Sequence, residues 1–285
     1  MIGIGLGYWW ADAVAAGLIS LDVPHMPKRF QNSVIFGSIH GCSIKQNILK
    51  PNGSTYTATR GDDFLVSGDK NVRPINMRWG PAGDIYLIDW HDQNPCHQTA
   101  PDLWDYERGR VYRIQLKGTK TNRPEDLGKK TTEELTGLVK SDNPYEARTA
   151  LRLIQQRPGG GSATALLKDE GARLAFAART GVEREQMSKQ LFDALVDGAK
   201  KGTDPRVRRE LASAAVRLAE EKYDVTPLLR ALMAHAEDAK DPVIPQLVWL
   251  AYEKVVAKKE GASTPAEKEL GWLADEAPLR VEGAL

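Results

Sequence analysis

Residues 71–118 read NVRPINMRWGPAGDIYLIDWHDQNPCHQTAPDLWDYERGRVYRIQLKG, and their pattern decides the fold of the first half of this 285-residue chain. Pro81-Ala82-Gly83-Asp84 is a turn sequence between two β-rich runs, Ile75–Trp79 and Asp84–Asp89. Such runs, flanked by Gly, Pro, Asn and Asp, are the signature of a hairpin. An irregular loop follows, and Arg110–Gln115 returns as a third strand. Three successive antiparallel strands of this kind make most of one propeller blade.

Working outward toward the N-terminus, the same alternation continues. Ser33–Phe36, Ile44–Leu49, Thr55–Ala58 and Phe64–Val66 read as strands, with Pro51-Asn52-Gly53-Ser54 as a turn between two of them. Residues 27–117 therefore amount to about two β-propeller blades. Ahead of them, residues 1–26 are mostly apolar, and Ile2–Val23 has the length of a membrane span. That stretch lacks the basic start and small-residue cleavage site of a signal peptide. It reads as a fusion scar or a short buried helix, with a membrane anchor as the alternative.

Toward the C-terminus the period changes to a helical one. Residues 118–130 are polar, carry Pro124 and read as a linker. Thr131-Thr132-Glu133-Glu134 has the form of a capping box ahead of Leu135, Leu138 and Val139. Three further helix starts share an Asx-Pro pair: Asn143-Pro144, Asp204-Pro205 and Asp241-Pro242. Asn or Asp caps the helix, and proline fits its first turn, where no N–H is needed. Pro205 and Pro242 lie about 37 residues apart, near the roughly 40–47 of a HEAT unit. Residues 131–260 read as HEAT-like repeats and 261–285 as a tail. The fold class is thus multidomain β + α, a partial β-propeller followed by a HEAT-like α-solenoid. Leu247, Trp249, Leu250 and Tyr252 read as repeat core, and Met233 and His235 as structural residues on an apolar helix. Lys200, Lys201, Arg206, Arg208 and Arg209 read as a solvated face that would suit an acidic protein partner.

Charge and motifs narrow the function classes. With 39 basic and 38 acidic residues, the net charge of +1 gives no reason to propose nucleic acid as a partner. Membrane association is left open, and a protein partner on the solenoid surface is the interaction this architecture suggests. The two cysteines, Cys42 and Cys96, either pair in an oxidising compartment or remain thiols. Phosphate-binding and nucleophile-elbow signatures are absent from the sequence.

Candidate site residues cluster after Asp89. His91, His97 and Asp92, with Arg73, are the residue types that bind metal, shuttle protons or hold a carboxylate. Asp102, Asp105, Arg108 and Arg110 lie close by in sequence. A structural reading competes with this one. Asp89 at a strand end would accept turn N–H groups, Trp90 and Trp104 would fill the space between blades, and Arg110 would clamp Asp105. Asp89, Trp90, Asp105 and Arg110 are accordingly assigned structural roles. His91, His97, Asp92 and Arg73 are kept as the candidate ligand site, and no metal set is assigned.

The pattern Arg-Pro…Gly-Pro-x-Gly-x-Ile-Tyr…Asp-Trp…Cys-His…Asp…Gly-Arg-Val-Tyr-Arg-Ile resembles the last blades of the membrane-bound-dehydrogenase family, also called PVC-type haem-binding Cys-x-x-Cys-His proteins. The following TTEELTGLVKSDNPYEARTALRLIQQR is similar to the first HEAT unit after those propellers. The resemblance spans roughly residues 27–260. It implies a sorbosone- or glucose-dehydrogenase-like propeller, an extracytoplasmic location and electron transfer to a covalent haem c domain. This chain has no Cys-x-x-Cys-His run, so no cofactor is expected in it. About two blades are also fewer than the 4–8 of a closed propeller. The resemblance then implies a catalytically incomplete part of a longer protein, or a chain that needs a partner. The alternative is a non-enzymatic scaffold for protein or glycan-related binding. Separately, GYWWADAVAAGLISLDV (residues 7–23) is similar to one transmembrane helix of cation diffusion facilitator transporters.

Overall fold

The computed structural model describes residues 15–21, 23–95, 104–118, 125–157, 172–183, 187–220, 223–257 and 271–272. The chain divides into two compact units. One holds Met1–Lys50, Thr57–Lys130 and Ser141–Ala150, and the other Pro51–Tyr56, Thr131–Lys140 and Leu151–Leu285. The class is β plus α, with antiparallel sheets and seven helices among the described residues.

The first unit is built on two sheets. Strands β1 (Ala15–Ser20), β2 (Ser33–Ser38), β3 (Ser43–Asn52) and β4 (Thr55–Arg60) are hydrogen-bonded in chain order, and β5 (Leu65–Val66) pairs with β3. The second sheet runs β6 (Pro74–Trp79), β7 (Ile85–Asp89), β8 (Arg110–Ile114). One face of each sheet is apolar, and these two faces pack together. Ile19, Ile35 and Ile44 meet Met77, Trp79, Ile85 and Leu87 in one buried cluster. The hairpin turn between β6 and β7 closes as its composition requires. Gly83 takes a φ of +75°, and the Gly80 N–H donates to the Asp84 carbonyl at 2.7 Å.

The N-terminal segment corrects the sequence reading. Residues 15–20 form a strand rather than a helix, and β1 pairs antiparallel with β2 through Ile19↔Ile35 and Ser20↔Val34, while residues 1–14 lie outside the described ones. Ile19, Leu21 and Val23 lie in the core, so the β unit begins before residue 27. The reason is physical: a strand buried in a sheet core is a short apolar run, and periodicity alone does not separate it from a helix. Gly17 allows the fit. Its φ is +60°, and a Cβ there would sit 2.5 Å from the Asn76 Cα of β6. Among the described residues no helix is long and apolar enough to cross a membrane.

The polar stretch before the helices is partly structured. Leu127–Lys129 forms a 3-10 turn, Asp126 accepts the Gly128 N–H, and Leu127 is buried. Residues 119–124 lie outside the described ones.

The helices start where the capping residues stand. Thr131 and Glu134 make a reciprocal capping box ahead of α1 (Thr132–Leu138). Asn143 accepts the Tyr145 N–H at the start of α2 (Pro144–Gln156), and Asp204 accepts the Arg206 N–H at the start of α5 (Pro205–Glu220). The last helix, α7 (Ile244–Val256), begins two residues after Pro242, with Asp241 accepting the N–H groups of Val243 and Ile244 at 2.9 Å each.

In the second unit α3 (Ala172–Glu183), α5 and α7 pack in sequence along one layer, and α4 (Lys189–Lys201) packs against α6 (Thr226–Met233). Their apolar faces supply the core: Leu195, Leu211, Ala215, Leu228, Leu232 and Tyr252 are all but inaccessible. Three residues read as repeat core behave otherwise, because the pattern of α7 is apolar beyond its buried face. Leu250 is exposed, and Leu247 and Trp249 are only half-buried. The run of basic residues divides. Lys200, Lys201 and Arg206 are exposed, with Lys201 paired to Asp197 and Arg206 to Asp204, whereas Arg208 is buried against Asp238. Arg209 donates to the Ser54 carbonyl and to Glu210.

Candidate functional site

The residues around the end of β7 form a connected polar cluster within the β unit. Asp89, the last residue of β7, is 1 % exposed. Its Oδ1 accepts the Arg73 N–H at 2.6 Å and the His91 N–H at 2.8 Å. Its Oδ2 has no hydrogen bond among the described residues, with His91 Nδ1 at 3.4 Å and Arg110 at 3.9 Å. His91 holds a φ of +57°, a left-handed conformation that the two backbone bonds to Asp89 and its burial must support.

Asp92 turns inward in the same way. Its N–H donates to the Asn71 carbonyl, Oδ1 accepts the Asn94 N–H at 2.8 Å, and Oδ2 accepts the Asp105 N–H at 2.7 Å. Asp92 therefore staples the two ends of the loop that follows β7. Among the described residues its carboxylate accepts only backbone donors from its own loop, so Asp92 acts as a conformational brace.

Arg73 is buried, and its guanidinium reaches three acceptors. One terminal nitrogen donates to Cys42 Sγ at 2.7 Å and to the Val72 carbonyl at 3.1 Å, and the other to the Gln93 carbonyl at 3.0 Å. Cys42 is a free thiol whose Sγ also donates to the Lys70 carbonyl at 3.1 Å. It lies in the turn before β3, so Arg73 fastens the post-β7 loop to the other sheet.

Arg110 corrects the sequence reading. It pairs with Asp69 at 3.5 Å and donates to His91 Nδ1, whereas Asp105 pairs with Arg108 at 3.3 Å. The reason is the register. Arg110 sits directly across from Asp89 in the β7–β8 pair, which carries it toward His91 and away from Asp105. A guanidinium has no lone pair, so His91 Nδ1 is the acceptor of that bond. Asp69, on the surface, is held below the usual carboxylate range by the Asn71 N–H first. Burial works slightly against this, and the nearby His91 and Arg110 add to it. Trp90 and Trp104 stack on one another, with centroids 5.0 Å apart and planes 19° apart.

The structure thus brings Arg73, Asp89, His91, Asp92 and Arg110 together and adds Cys42 and Asp69. Neither of the last two was read as part of the site. Asp69 stands in the turn-rich Ser67-Gly68-Asp69-Lys70 run, the one hint the sequence carried. Cys96, His97 and Asp102 lie outside the described residues. Among the described residues no group of three or more His, Cys, Asp or Glu is placed to hold a metal ion. The residues do not fit a covalently attached haem: the Cys42 thiol is engaged by Arg73 and Lys70, and Lys45 and Gln46 stand where a second Cys and a His would be needed.

Comparison with known proteins matches no curated protein and no solved structure. Residues 12–118, a span that takes in β1 through β8 and the whole cluster described above, match a family profile described as a domain of unknown function, DUF7133.

Proposed function

We propose that this chain supplies the architecture of a dehydrogenase-like β-propeller and HEAT-like solenoid, and that it serves as a binding scaffold with no complete redox site of its own. The observation that carries the reading is the direction in which the candidate site faces. Among the described residues, Asp92, Asp89 Oδ1 and the terminal nitrogens of Arg73 are taken up by backbone groups and by Cys42, and Asp89 Oδ2, which has no hydrogen bond, is buried beside His91 and Arg110. A catalytic carboxylate or histidine would instead direct a free polar atom at the place where a substrate reacts.

Two features support the architectural part. The antiparallel sheet β1-β2-β3-β4, with β5 beside β3, followed by β6-β7-β8 with apolar faces packed together, is compatible with successive propeller blades. The contacts of α3 with α5 and α5 with α7, beside those of α4 with α6, are compatible with stacked helix pairs. The dehydrogenase relationship and an extracytoplasmic location rest on the sequence resemblance alone.

The test is a dye-reduction assay of the purified chain with a panel of aldoses and aldehydes, paired with calorimetric titration of Ca²⁺ and simple sugars. The reading expects no turnover, and it expects His91→Ala to alter stability and leave any sugar affinity unchanged. Sustained dye reduction that His91→Ala abolishes would overturn it.

A further inference from the structure

The sheet β6-β7-β8 turns Met77, Ile85 and Leu87 into the core, so the residues that alternate with them face outward. Direct cross-strand pairing sets six outward residues in two rows. Asn76, Ile88 and Val111 make one row, and Arg78, Tyr86 and Arg113 make the next. The middle of this outer face is apolar: Tyr86 is 39 %, Ile88 44 % and Val111 70 % exposed. β7 is thus apolar on both sides over Ile85-Tyr86-Leu87-Ile88, the pattern of a strand that is covered on both faces.

The charges on this face have one sign. Arg78 and Arg113 flank Tyr86, and neither row contains an acidic residue. Asp84 neutralises Arg113, whereas Arg78 makes no ion pair among the described residues. A second copy of the chain is a poor occupant, because it would oppose two arginine-bearing rows. The face is also small, about 14 by 17 Å for three short strands, against the roughly 800 Å² that each partner of a stable complex buries. An apolar segment that carries carboxylates fits better. A sheet face presents side chains and no open backbone groups, so a segment laid on it must satisfy its own N–H and C=O groups. A helix does so, and about three turns span the face.

We propose that the outer face of β6-β7-β8 docks an acidic amphipathic helix of a partner protein. The apolar stripe of that helix covers Tyr86, Ile88 and Val111, and a carboxylate beside the stripe pairs with Arg78. The small area makes the contact weak and reversible. The proposal rests on the scaffold reading and gives it a class of partner. The two fail separately: dye reduction overturns the scaffold reading, and peptide binding bears on this face alone.

The experiment measures binding of two labelled, helix-stabilised synthetic peptides to the full chain by fluorescence anisotropy. Both carry leucine at i, i+3, i+4 and i+7; glutamate flanks the stripe in one and lysine in the other. The net charge of +1 gives the chain no general preference between them. Wild type should bind the glutamate peptide about tenfold more tightly than its lysine twin. Arg78→Glu should reverse that preference, and Val111→Asp should weaken binding of the glutamate peptide about tenfold. Both side chains are exposed, so the melting temperatures of the variants should match wild type. Failure of wild type to bind the glutamate peptide, or binding that neither substitution changes, would overturn the proposal. So would a dimer in sedimentation equilibrium that Val111→Asp splits, since the face would then belong to a second copy.

Discussion

Arg73 and Asp89 are joined through the backbone of one and the side chain of the other: the Arg73 N–H donates to Asp89 Oδ1 at 2.6 Å, just ahead of β6. The same oxygen accepts the His91 N–H, so one carboxylate fixes the start of one strand and the exit of its neighbour. Asp89→Ala leaves both N–H groups buried without that acceptor. The expected cost is about 1–3 kcal/mol, read from urea unfolding followed by tryptophan fluorescence. Asp89→Asn keeps a carbonyl oxygen in place and should cost less. Equal stability of wild type and Asp89→Ala would show that the carboxylate is not a brace.

Gly17 should not tolerate a side chain. An added Cβ would lie 2.5 Å from the Asn76 Cα, a backbone atom with no room to move, and the φ of +60° is itself unfavourable for alanine. Gly17→Ala should destabilise the β unit by more than about 1 kcal/mol. An unchanged urea midpoint would mean that β1 does not pack against β6 as described.

Asp241 makes acid sensitivity a local matter. Burial pushes its carboxyl up, but the N–H groups of Ile244 and Ser54, the Ser54 hydroxyl and the Val243 N–H outweigh burial and hold it below the usual carboxylate range. A group held lower in the folded chain than in the unfolded one contributes stability above its unfolded value of about 3.9 and loses it as pH falls below that value. Asp241→Asn should therefore destabilise the protein at neutral pH and flatten its acid-induced loss of stability. Melting curves from about pH 7 down to about pH 3 check this, and parallel curves for the two proteins would contradict it.

Arg208 and Asp238 form a buried, two-pronged ion pair. Removing one partner strands the other charge, so Asp238→Ala should cost about 3–5 kcal/mol. Replacing both, as in Arg208→Met with Asp238→Leu, should cost less than the single change, because no lone charge is left in the interior. Chemical unfolding of the two variants against wild type gives the comparison. A double variant less stable than Asp238→Ala would refute this account.

Local chemistry by itself determined much of this protein. The Pro81–Asp84 turn, the strands from Ser33 onward, the Thr131–Glu134 capping box and the helix starts at Pro144 and Pro205 all follow from residues within a few positions of one another. Turn formation, strand alternation and capping are short-range effects, so a linear reading reaches them. Tertiary structure decided the rest. Whether Ala15–Ser20 became a strand or a helix depended on the edge of β2 and the face of β6, which local periodicity does not encode. Which partner Arg110 took depended on the β7–β8 register, which set it across from Asp89 and beside His91. Cys42 entered the cluster because the two sheets pack together and bring its thiol to Arg73, 31 residues away in sequence. Long-range partners of charged side chains are chosen by burial and register, and these exist only once the chain has folded.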